Sequence, residues 1–500
     1  MDVYDLLIEA EKKYGEKAAI INNEDTIDFA ALKRNTFILA NRFSDLGLKK
    51  GDKVAVYLPN SPEYFYIYLA CYLTGVIIVP IDFYLNENEV TDIIDHCGIK
   101  VLFSMVNPRT NLSMLANKTI SLKAIVSIDD NPQFISFAQL IAAPKNHFKK
   151  VDIDEDSYSS IFYTSGSTGQ PKGVIWNYKH IHIGAENTDY FLEIDLHKDR
   201  VITAIPMSHS GGVLLPMMAI KYGVSTVIME RFHPLEYVKL VEKWKVSFSY
   251  MVPPMFLAIL ALKDAEHYDL SSMRVVAVFG APSDPEVIKQ TKRIFINANI
   301  VGGWGMTEVI PPTSVGSPGD LASVGKPNPK VVELKIVDEN GTSKESGEIG
   351  ELLAKGESIF LGYYNAQEYT SEVFENGWFK TGDLAKYDNN GNLYIVGRSK
   401  DMIKVGGAIV WSAEVEGIIL RHPCVLEAAV IGVPDKIRGE VVKAFIVLKD
   451  EIVLPKRYII EYCKQYLAKY KAPKDVEYVL ALPKTGSGKI DKAKLKVMNG

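Results

Sequence analysis

The stretch YTSGSTGQPKGV, residues 163–174, is the most informative part of the sequence. Residues 164–168 are all glycine or hydroxyl-bearing, and glycines follow at positions 169 and 173. Glycines let backbone N–H groups turn towards an anion, hydroxyls add donors or a metal ligand, and Lys172 adds a mobile positive charge. The alternative is an ordinary Ser/Gly-rich surface turn. The order of the residues favours a loop that holds the phosphates of a nucleoside triphosphate.

The loop differs from the GxxxxGK[ST] pattern of Walker-type ATPases. Pro171 occupies the position at which that pattern has its second glycine, directly before Lys172. A Walker-type ATPase is therefore disfavoured.

Length and composition indicate a globular protein of at least two domains. The chain has 500 residues, more than one hydrophobic core usually organises, and 47% of them are apolar. Its 56 basic and 61 acidic residues give a net charge of −5, so nucleic-acid binding gains no support. The four cysteines form no CxxC or Cys/His cluster, which predicts reduced thiols, no structural zinc and a cytoplasmic protein.

Neither the N-terminus nor the uncharged stretch 64–81 predicts export or membrane insertion. The chain opens MDVYD, which is acidic where a secretory signal needs basic residues. Residues 64–81 carry no charge, but Gly75, Pro80 and the β-branched run 76–79 predict a helix followed by a buried strand.

Hydrophobic periodicity predicts an α/β fold. Residues 29–46 have a helical apolar face, and residues 53–58 read as a strand. The alternation recurs between residues 225 and 295, where Leu235, Val238, Val241 and Trp244 are placed on the apolar face of a helix. Such alternation predicts sheets covered by helices on both faces. From about residue 332 short strands predict a small β subdomain. Past residue 400 we expect an α+β unit with a helix that Ser412 caps and another over residues 455–470.

Five further motifs follow the loop in a fixed order. They are GAPSD (280–284), GWGMTE (303–308), FKTGD (379–383), GRSKDMIKVGG (397–407) and PKTGSGK (483–489). Together with the loop they resemble the adenylate-forming superfamily of acyl-CoA synthetases, peptide-synthetase adenylation domains and luciferases, and most resemble AMP-forming fatty acid–CoA ligases. The resemblance implies a large AMP-binding domain over residues 1–399 and a small mobile domain over residues 400–500.

The resemblance also implies a two-step reaction that uses Mg²⁺, ATP and CoA. A carboxylate attacks the α-phosphorus of ATP to give an acyl-adenylate and pyrophosphate, and the thiol of CoA then displaces AMP. Lys489 matches the adenylation lysine, Glu308 and Thr164 the metal ligands, and His209 a residue at the mouth of the acyl pocket. The matched ATP- and AMP-binding residues are Thr164, Ser165, Gly166, Ser167, Thr168, Gly169, Lys172, Gly280, Ala281, Pro282, Gly303, Trp304, Gly305, Met306, Thr307, Asp383 and Arg398.

Several of these residues are given particular parts by the resemblance. It implies that Trp304 stacks on adenine, and Asp383 matches the residue that accepts hydrogen bonds from the ribose. Lys400 matches the hinge between the domains, and Gly406 and Gly407 match the loop that opens the CoA channel. The residues after Gly407 depart from the family's usual polar–aromatic–Pro order, so the thiol acceptor is less firmly indicated than adenylation.

The acid is indicated by IPMSHSGG, residues 205–212. Amino-acid-activating relatives carry an Asp where Ser208–His209 stands, so an α-amino acid is disfavoured, and Gly211 and Gly212 are expected to leave room beside His209. A medium- or long-chain fatty acid is the first expectation, which would place the protein in lipid metabolism. An aryl or short branched acid, and an acyl-AMP ligase that loads a carrier protein, are the alternatives. A homodimer and a non-catalytic nucleotide-binding protein stay open, although the latter would need a broken catalytic set.

Overall fold

The computed structural model describes residues 2–142, 148–164, 172–195, 199–203, 205–279, 285–318, 320, 322–449, 454–484 and 490–499, with the backbone alone for residues 285–289. The described chain groups into two units. The first comprises Met1–Leu321, Pro327–Glu333 and Lys355–Phe374, and the second comprises Ala322–Lys326, Leu334–Ala354 and Glu375–Gly500. The β subdomain thus groups with the C-terminal residues, and the boundary between residues 399 and 400 stays a prediction.

The first unit contains two sheets and the helices that cover them. One sheet has the order β16-β15-β14-β13-β12-β10-β11-β1-β2 and the other β7-β6-β5-β3-β4-β8-β9. The strands of the first sheet are β1 (Ala18–Asn22), β2 (Asp25–Asp28), β10 (Arg200–Thr203), β11 (Ser225–Ile228), β12 (Phe248–Met251), β13 (Val275–Phe279), β14 (Asn299–Met306), β15 (Val309–Val315) and β16 (Lys326–Pro327). Those of the second are β3 (Lys53–Tyr57), β4 (Ile77–Pro80), β5 (Val101–Ser104), β6 (Ala124–Ser127), β7 (Ile135–Ser136), β8 (Tyr158–Thr164) and β9 (Lys172–Asn177).

The helices of the first unit are α1 (Val3–Tyr14), α2 (Phe29–Asp45), α3 (Pro62–Thr74), α4 (Glu87–Cys97), α5 (Leu112–Lys118), α6 (Phe137–Ala142), α7 (Tyr178–Leu192), α8 (Ser210–Tyr222), α9 (Pro234–Trp244), α10 (Pro253–Leu260), α11 (Pro285–Ile294) and α12 (Gln367–Val373). One apolar core forms where α9 and α10 cover β11–β13, and another where α4 and α5 cover β3–β6. The α/β prediction is confirmed.

The second unit is built on two smaller sheets. The first has the order β17-β18-β20-β19 with β21 paired to β20, and the second the order β23-β22-β25-β24 with β26 paired to β25. The strands are β17 (Glu333–Val337), β18 (Gly350–Lys355), β19 (Phe374–Glu375), β20 (Trp378–Tyr387), β21 (Leu393–Arg398), β22 (Met402–Val405), β23 (Ala408–Trp411), β24 (Val425–Asp435), β25 (Gly439–Leu448) and β26 (Asp475–Tyr478), and the helices are α13 (Ser412–Leu420), α14 (Lys456–Tyr466) and α15 (Lys492–Asn499).

The uncharged stretch 64–81 folds as a helix and a buried strand, as predicted. Pro62 stands in the first turn of α3, where its missing N–H costs no hydrogen bond, and Gly75 ends the helix with a φ of 74°. β4 follows with all its residues buried. Among the described residues, no helix combines the length and the apolar character that crossing a membrane requires.

Three local predictions were wrong. Leu235 is 36% exposed, because it lies in the first turn of α9, while the buried face begins at Tyr237. Trp411 rather than Ser412 is the N-cap of α13, and the Ser412 hydroxyl instead accepts a hydrogen bond from Lys492 Nζ at 2.8 Å. α14 ends at Tyr466 rather than at residue 470, because Leu467 takes an extended conformation.

A reciprocal capping pair starts α7, the helix that follows β9. The Asn177 side chain accepts from the backbone N–H of His180, and His180 Nδ1 accepts from that of Asn177. His180 is 3% exposed, and burial lowers its pKa to about 4. The imidazole is therefore neutral in the folded protein at pH 7 and well below it.

We expect the stability of the protein to fall below pH 6.5 because of His180. The unfolded imidazole gains a proton near pH 6.5, whereas the folded one stays neutral until about pH 4. Lowering the pH from 7 to 5 should therefore remove about 2 kcal/mol from the free energy of unfolding. His180→Gln keeps a capping side chain and should lose this part of the pH dependence, measured by urea denaturation at both pH values. Equal pH dependence in the two proteins would contradict the assignment.

Candidate active site

The hairpin of β8 and β9 brackets the Gly-rich loop. The two strands pair antiparallel, with Thr164 opposite Lys172. Thr164, a predicted metal ligand, and Lys172, a predicted phosphate contact, therefore lie at the two ends of the Gly-rich loop. The other predicted loop residues, Ser165, Gly166, Ser167, Thr168 and Gly169, lie outside the described residues.

Tyr163, which precedes the loop, is fixed to the end of α4. Its hydroxyl contacts His96 Nδ1 and lies 3.2 Å from the thiol of Cys97. Burial raises the pKa of Tyr163 well above its usual range, so the phenol is neutral. The N-terminal end of the Gly-rich loop is thus held by the polar contacts of Tyr163 as well as by the pairing of β8 with β9.

The chain around residues 359–364 lies along β9 and links it to Glu308. The backbone N–H of Tyr364 donates to Gly173 at 2.7 Å, and that of Phe360 donates to the carbonyl of Glu308 at 3.0 Å. Tyr363, between these two contacts, donates its hydroxyl hydrogen bond to Glu308 Oε1 at 3.0 Å. The predicted metal ligand is therefore held beside the strand that begins at Lys172.

Glu308 and Thr307 lie where three parts of the first unit meet. The Glu308 residue is 8% exposed. Trp176 of β9 donates its indole N–H to the carbonyl of Thr307 at 2.8 Å, and the hydroxyls of Thr307 and Ser210 are 3.4 Å apart. The structure thus brings the end of the GWGMTE motif next to both the loop strand and the residue that follows His209.

The glycines of the GWGMTE motif serve close packing in β14. A Cβ at Gly303 would come within 2.3 Å of the Phe279 ring, and one at Gly305 within 2.8 Å of Pro311. Trp304 is 6% exposed, and Met306 ends the strand. The stacking of Trp304 on adenine stays a prediction. The predicted base contacts Gly280, Ala281 and Pro282 lie outside the described residues.

His209 is the N-cap residue of α8, and its Nε2 lies 3.9 Å from Asp82 Oδ2. The two glycines in the first turn of α8, Gly211 and Gly212, differ in how closely they are packed. Among the described residues, a Cβ at Gly211 would meet no atom within 4 Å, whereas one at Gly212 would lie 2.3 Å from the Cα of Met207. The expectation that both glycines leave room was wrong for Gly212, because its side of the helix packs on the preceding turn.

The predicted ribose contact is paired with an arginine in the second unit. Asp383 and Arg398 face each other across β20 and β21, and Arg398 Nε donates to Asp383 Oδ1 at 2.9 Å. The Asp383 side chain is 7% exposed and that of Arg398 45%. The backbone N–H of Asp383 also donates to Thr381 Oγ1 at 3.0 Å. The carboxylate is thus oriented before any ligand arrives.

The remaining predicted residues lie after this pair. Lys400 belongs to a short turn, Ser399–Asp401, and burial lowers its pKa, as does the neighbouring charge of Arg398. Gly406 and Gly407 have φ values of 59° and 85° and join β22 to β23 in a tight hairpin turn that glycine favours. Lys489 lies outside the described residues.

The residues present fit a magnesium ion held mainly by ATP. Among the described residues, no group of three or more His, Cys, Asp and Glu side chains is arranged to hold a metal. Mg²⁺ in nucleotide sites usually takes one or two protein ligands and completes its shell with phosphate oxygens and water. A single oriented carboxylate, Glu308, with the hydroxyl of Thr164, suits that mode of binding.

Tyr363 and Trp176 are functional candidates that the sequence analysis missed, since only the fold brings them to Glu308 and Thr307. The residues around position 363 read LGYYN, which carries no charge and no periodic pattern that connects it with Glu308. Their pairing with β9 across the fold is needed to find them.

The fold and the residues found within each unit are those of an enzyme that activates its substrate with ATP by forming an adenylate. The chain belongs to the AMP-binding enzyme family: residues 7–364 match the AMP-binding enzyme model and residues 414–489 its C-terminal domain. By class it is an AMP-forming acid–CoA ligase, with ATP and CoA as co-substrates.

Relatives and solved structures cover almost the whole chain. It is 31% identical to a 4-coumarate–CoA ligase from Vanilla planifolia, over 96% of this chain and 90% of that protein. It is 29% identical to a long-chain-fatty-acid–CoA ligase from Bacillus subtilis strain 168, over 98% and 93%. Its structure is similar to that of the anthranilate CoA ligase AuaEII in complex with anthranoyl-AMP, with a TM-score of 0.92 at 29% identity and coverage of 100% and 97%.

Proposed function

We propose that the protein uses Mg²⁺-ATP to activate a hydrophobic carboxylic acid, in the first place a medium- or long-chain fatty acid, and transfers the acyl group to CoA. The start of α8 carries the proposal. Gly211, two residues after His209, has open space where a side chain would stand, as far as the described part of the chain extends. The nine residues that follow, 212–220, bear no charge and are buried. The helix therefore places no ion-pairing group beside Gly211, which suits a ligand whose one charged group is its carboxylate.

Each charged residue of the site has one task in the proposed adenylation. Lys172 and the loop bind the phosphates that leave as pyrophosphate, and Glu308 with Thr164 would hold Mg²⁺. When bound, Mg²⁺ neutralises phosphate charge and fixes the phosphate geometry. Lys489 contacts the attacking carboxylate and the α-phosphoryl group, where negative charge accumulates. Asp383, oriented by Arg398, accepts hydrogen bonds from the ribose hydroxyls.

The second half-reaction is proposed to follow a domain rotation. The boundary lies between residues 399 and 400, with Lys400 as the hinge and with the Gly406–Gly407 turn along the CoA channel. The thiol attacks the acyl carbonyl, and AMP leaves with the electron pair of the broken acyl–phosphate bond. A cytoplasmic location remains part of the proposal, since all four cysteines are free thiols.

An aryl acid is the second candidate, and an aromatic cluster in the first unit favours it. Phe279 lies against Gly303, and its ring centroid is 5.6 Å from that of Tyr250 in an edge-on arrangement. Such rings stack well on a planar substrate. The relatives include a 4-coumarate–CoA ligase and a feruloyl-CoA synthase as well as long-chain-fatty-acid–CoA ligases.

The test is a panel of fatty, aryl and short branched acids with ATP, Mg²⁺ and CoA, read by AMP release and thioester mass together. Gly211→Leu should lower kcat/KM for the best acid at least ~10-fold and affect acetate or propionate much less, because added volume excludes the longer substrate. Gly417→Leu is the matched control, since Gly417 is a helical glycine that also has open space. Equal losses for all acids in Gly211→Leu would contradict the acyl assignment. Release of AMP without formation of a thioester would indicate that the acyl group is transferred to a carrier protein and not to CoA.

A further inference from the structure

The ammonium group of Lys172 lies on the ring of Tyr369. Its Nζ is 2.8 Å from the centroid of that ring and 5.8 Å from the centroid of Tyr363. The Nζ is buried, and within the part of the chain that the structure describes it has no hydrogen-bond partner. A buried cation without polar partners is costly, and an aromatic face offsets part of that cost.

The Tyr369 ring is held in place by the start of α12. The hydroxyl of Thr370 accepts from the backbone N–H of Tyr363 and donates to the carbonyl of Ala366, both at 2.9 Å. The rings of Tyr363 and Tyr369 have centroids 5.0 Å apart. Because the neighbouring Tyr364 is bonded to Gly173, the ring is coupled to the strand that carries Lys172.

We propose that Tyr369 is a positioning residue for Lys172. The Tyr369 ring fixes the Lys172 ammonium group at the C-terminal end of the Gly-rich loop. The phosphates of ATP can then bind to a positive charge that is already in position. A flexible lysine would otherwise have to give up several rotamers when ATP binds. The inference rests on the proposed function, in which Lys172 contacts those phosphates. Tyr363 contacts the other predicted site residue, Glu308, through a hydrogen bond from its hydroxyl.

The test compares two substitutions of Tyr369. Tyr369→Leu removes the aromatic face and should raise the KM for ATP about 10-fold, which is the equivalent of about 1.4 kcal/mol. The KM for the acid should stay unchanged. Tyr369→Phe keeps the face and should remain within about twofold of the wild type, because phenylalanine also binds cations through its ring. Tyr369→Met, which also lacks the ring, should reproduce the leucine result.

A double-mutant cycle with Lys172→Met shows whether the ring acts through the lysine. In the Lys172→Met protein, Tyr369→Leu should change the affinity for ATP by less than about twofold, because the cation is no longer there. ATP affinity is measured without turnover, from the rise of the unfolding temperature with ATP and Mg²⁺. Two outcomes would overturn the role of Tyr369 but leave the proposed function standing. One is that the effects of Lys172→Met and Tyr369→Leu on ATP affinity are fully additive, and the other is that Tyr369→Phe and Tyr369→Leu lose ATP affinity equally. No binding of ATP by the wild type would overturn the proposed function with it.

Discussion

Replacing Lys489 by alanine should slow the formation of the acyl-adenylate by about 100-fold or more, the range for losing one preorganised group that stabilises transition-state charge. The measurement is the initial rate of pyrophosphate release with saturating ATP and acid. The second half-reaction should be much less affected, because the thiol attacks a carbonyl after pyrophosphate has left. Purified acyl-adenylate mixed with CoA, read by thioester formation, isolates that step.

Lys484 provides a matched control for the lysine substitution. It lies five residues before Lys489, and its Nζ is 2.5 Å from Glu427 Oε1, so its charge is already engaged within the second unit. Lys484→Ala should therefore leave both half-reactions close to the wild-type rates. A loss in both half-reactions for Lys489→Ala would show that the lysine is not specific to adenylation.

The chain on the far side of Lys489 is anchored by an ion pair that periodicity could not reveal. Lys492 Nζ lies 2.8 Å from Glu416 Oε1, and the backbone N–H of Val430 donates to the same oxygen at 2.7 Å. Burial raises the pKa of Glu416, which makes its ion partner important for keeping the carboxylate charged. The sequence analysis predicts a helix after Ser412, but only the fold shows that Glu416 of this helix is buried and which residue it pairs with.

Local patterns sufficed for the architecture because strands and helices depend on neighbouring residues. The stretch 64–81 shows this, since Gly75 ends a helix and Pro80 ends the strand after it, and the structure confirms both elements. The same reasoning failed at Leu235, where the periodicity was right but the side chain lies in an exposed first turn. Helical spacing identifies a face, whereas burial depends on what packs against each turn.

The candidate site was predictable in its residue types but not in its contacts. Asp383 and Arg398 are 15 positions apart, and only the register of β20 and β21 sets them opposite each other. Glu308 and Tyr363 are 55 positions apart, and their contact depends on a segment that pairs with β9. No spacing in the sequence encodes such a pairing, because it arises from long-range backbone hydrogen bonds.

Replacing Glu308 by glutamine should lower the rate of adenylation by about 100- to 1000-fold, because it removes a charged metal ligand while preserving shape. The concentration of Mg²⁺ that gives half-maximal pyrophosphate release should rise as well. Glu357→Gln is the matched control, since Glu357 is an exposed carboxylate in the 355–374 segment that carries Tyr363 and should tolerate the change.

Tyr363→Phe completes this series, because it removes the hydroxyl that donates to Glu308 and keeps the ring. A hydrogen bond to a charged group is worth about 1.5–3 kcal/mol, so the rate should fall by about 10- to 100-fold, less than in Glu308→Gln. In the Glu308→Gln protein the same substitution should cost much less, since the carboxylate that it orients is gone. Losses that simply multiply, with an unchanged requirement for Mg²⁺ in both proteins, would mean that Glu308 acts in the structure of the site and not as a metal ligand.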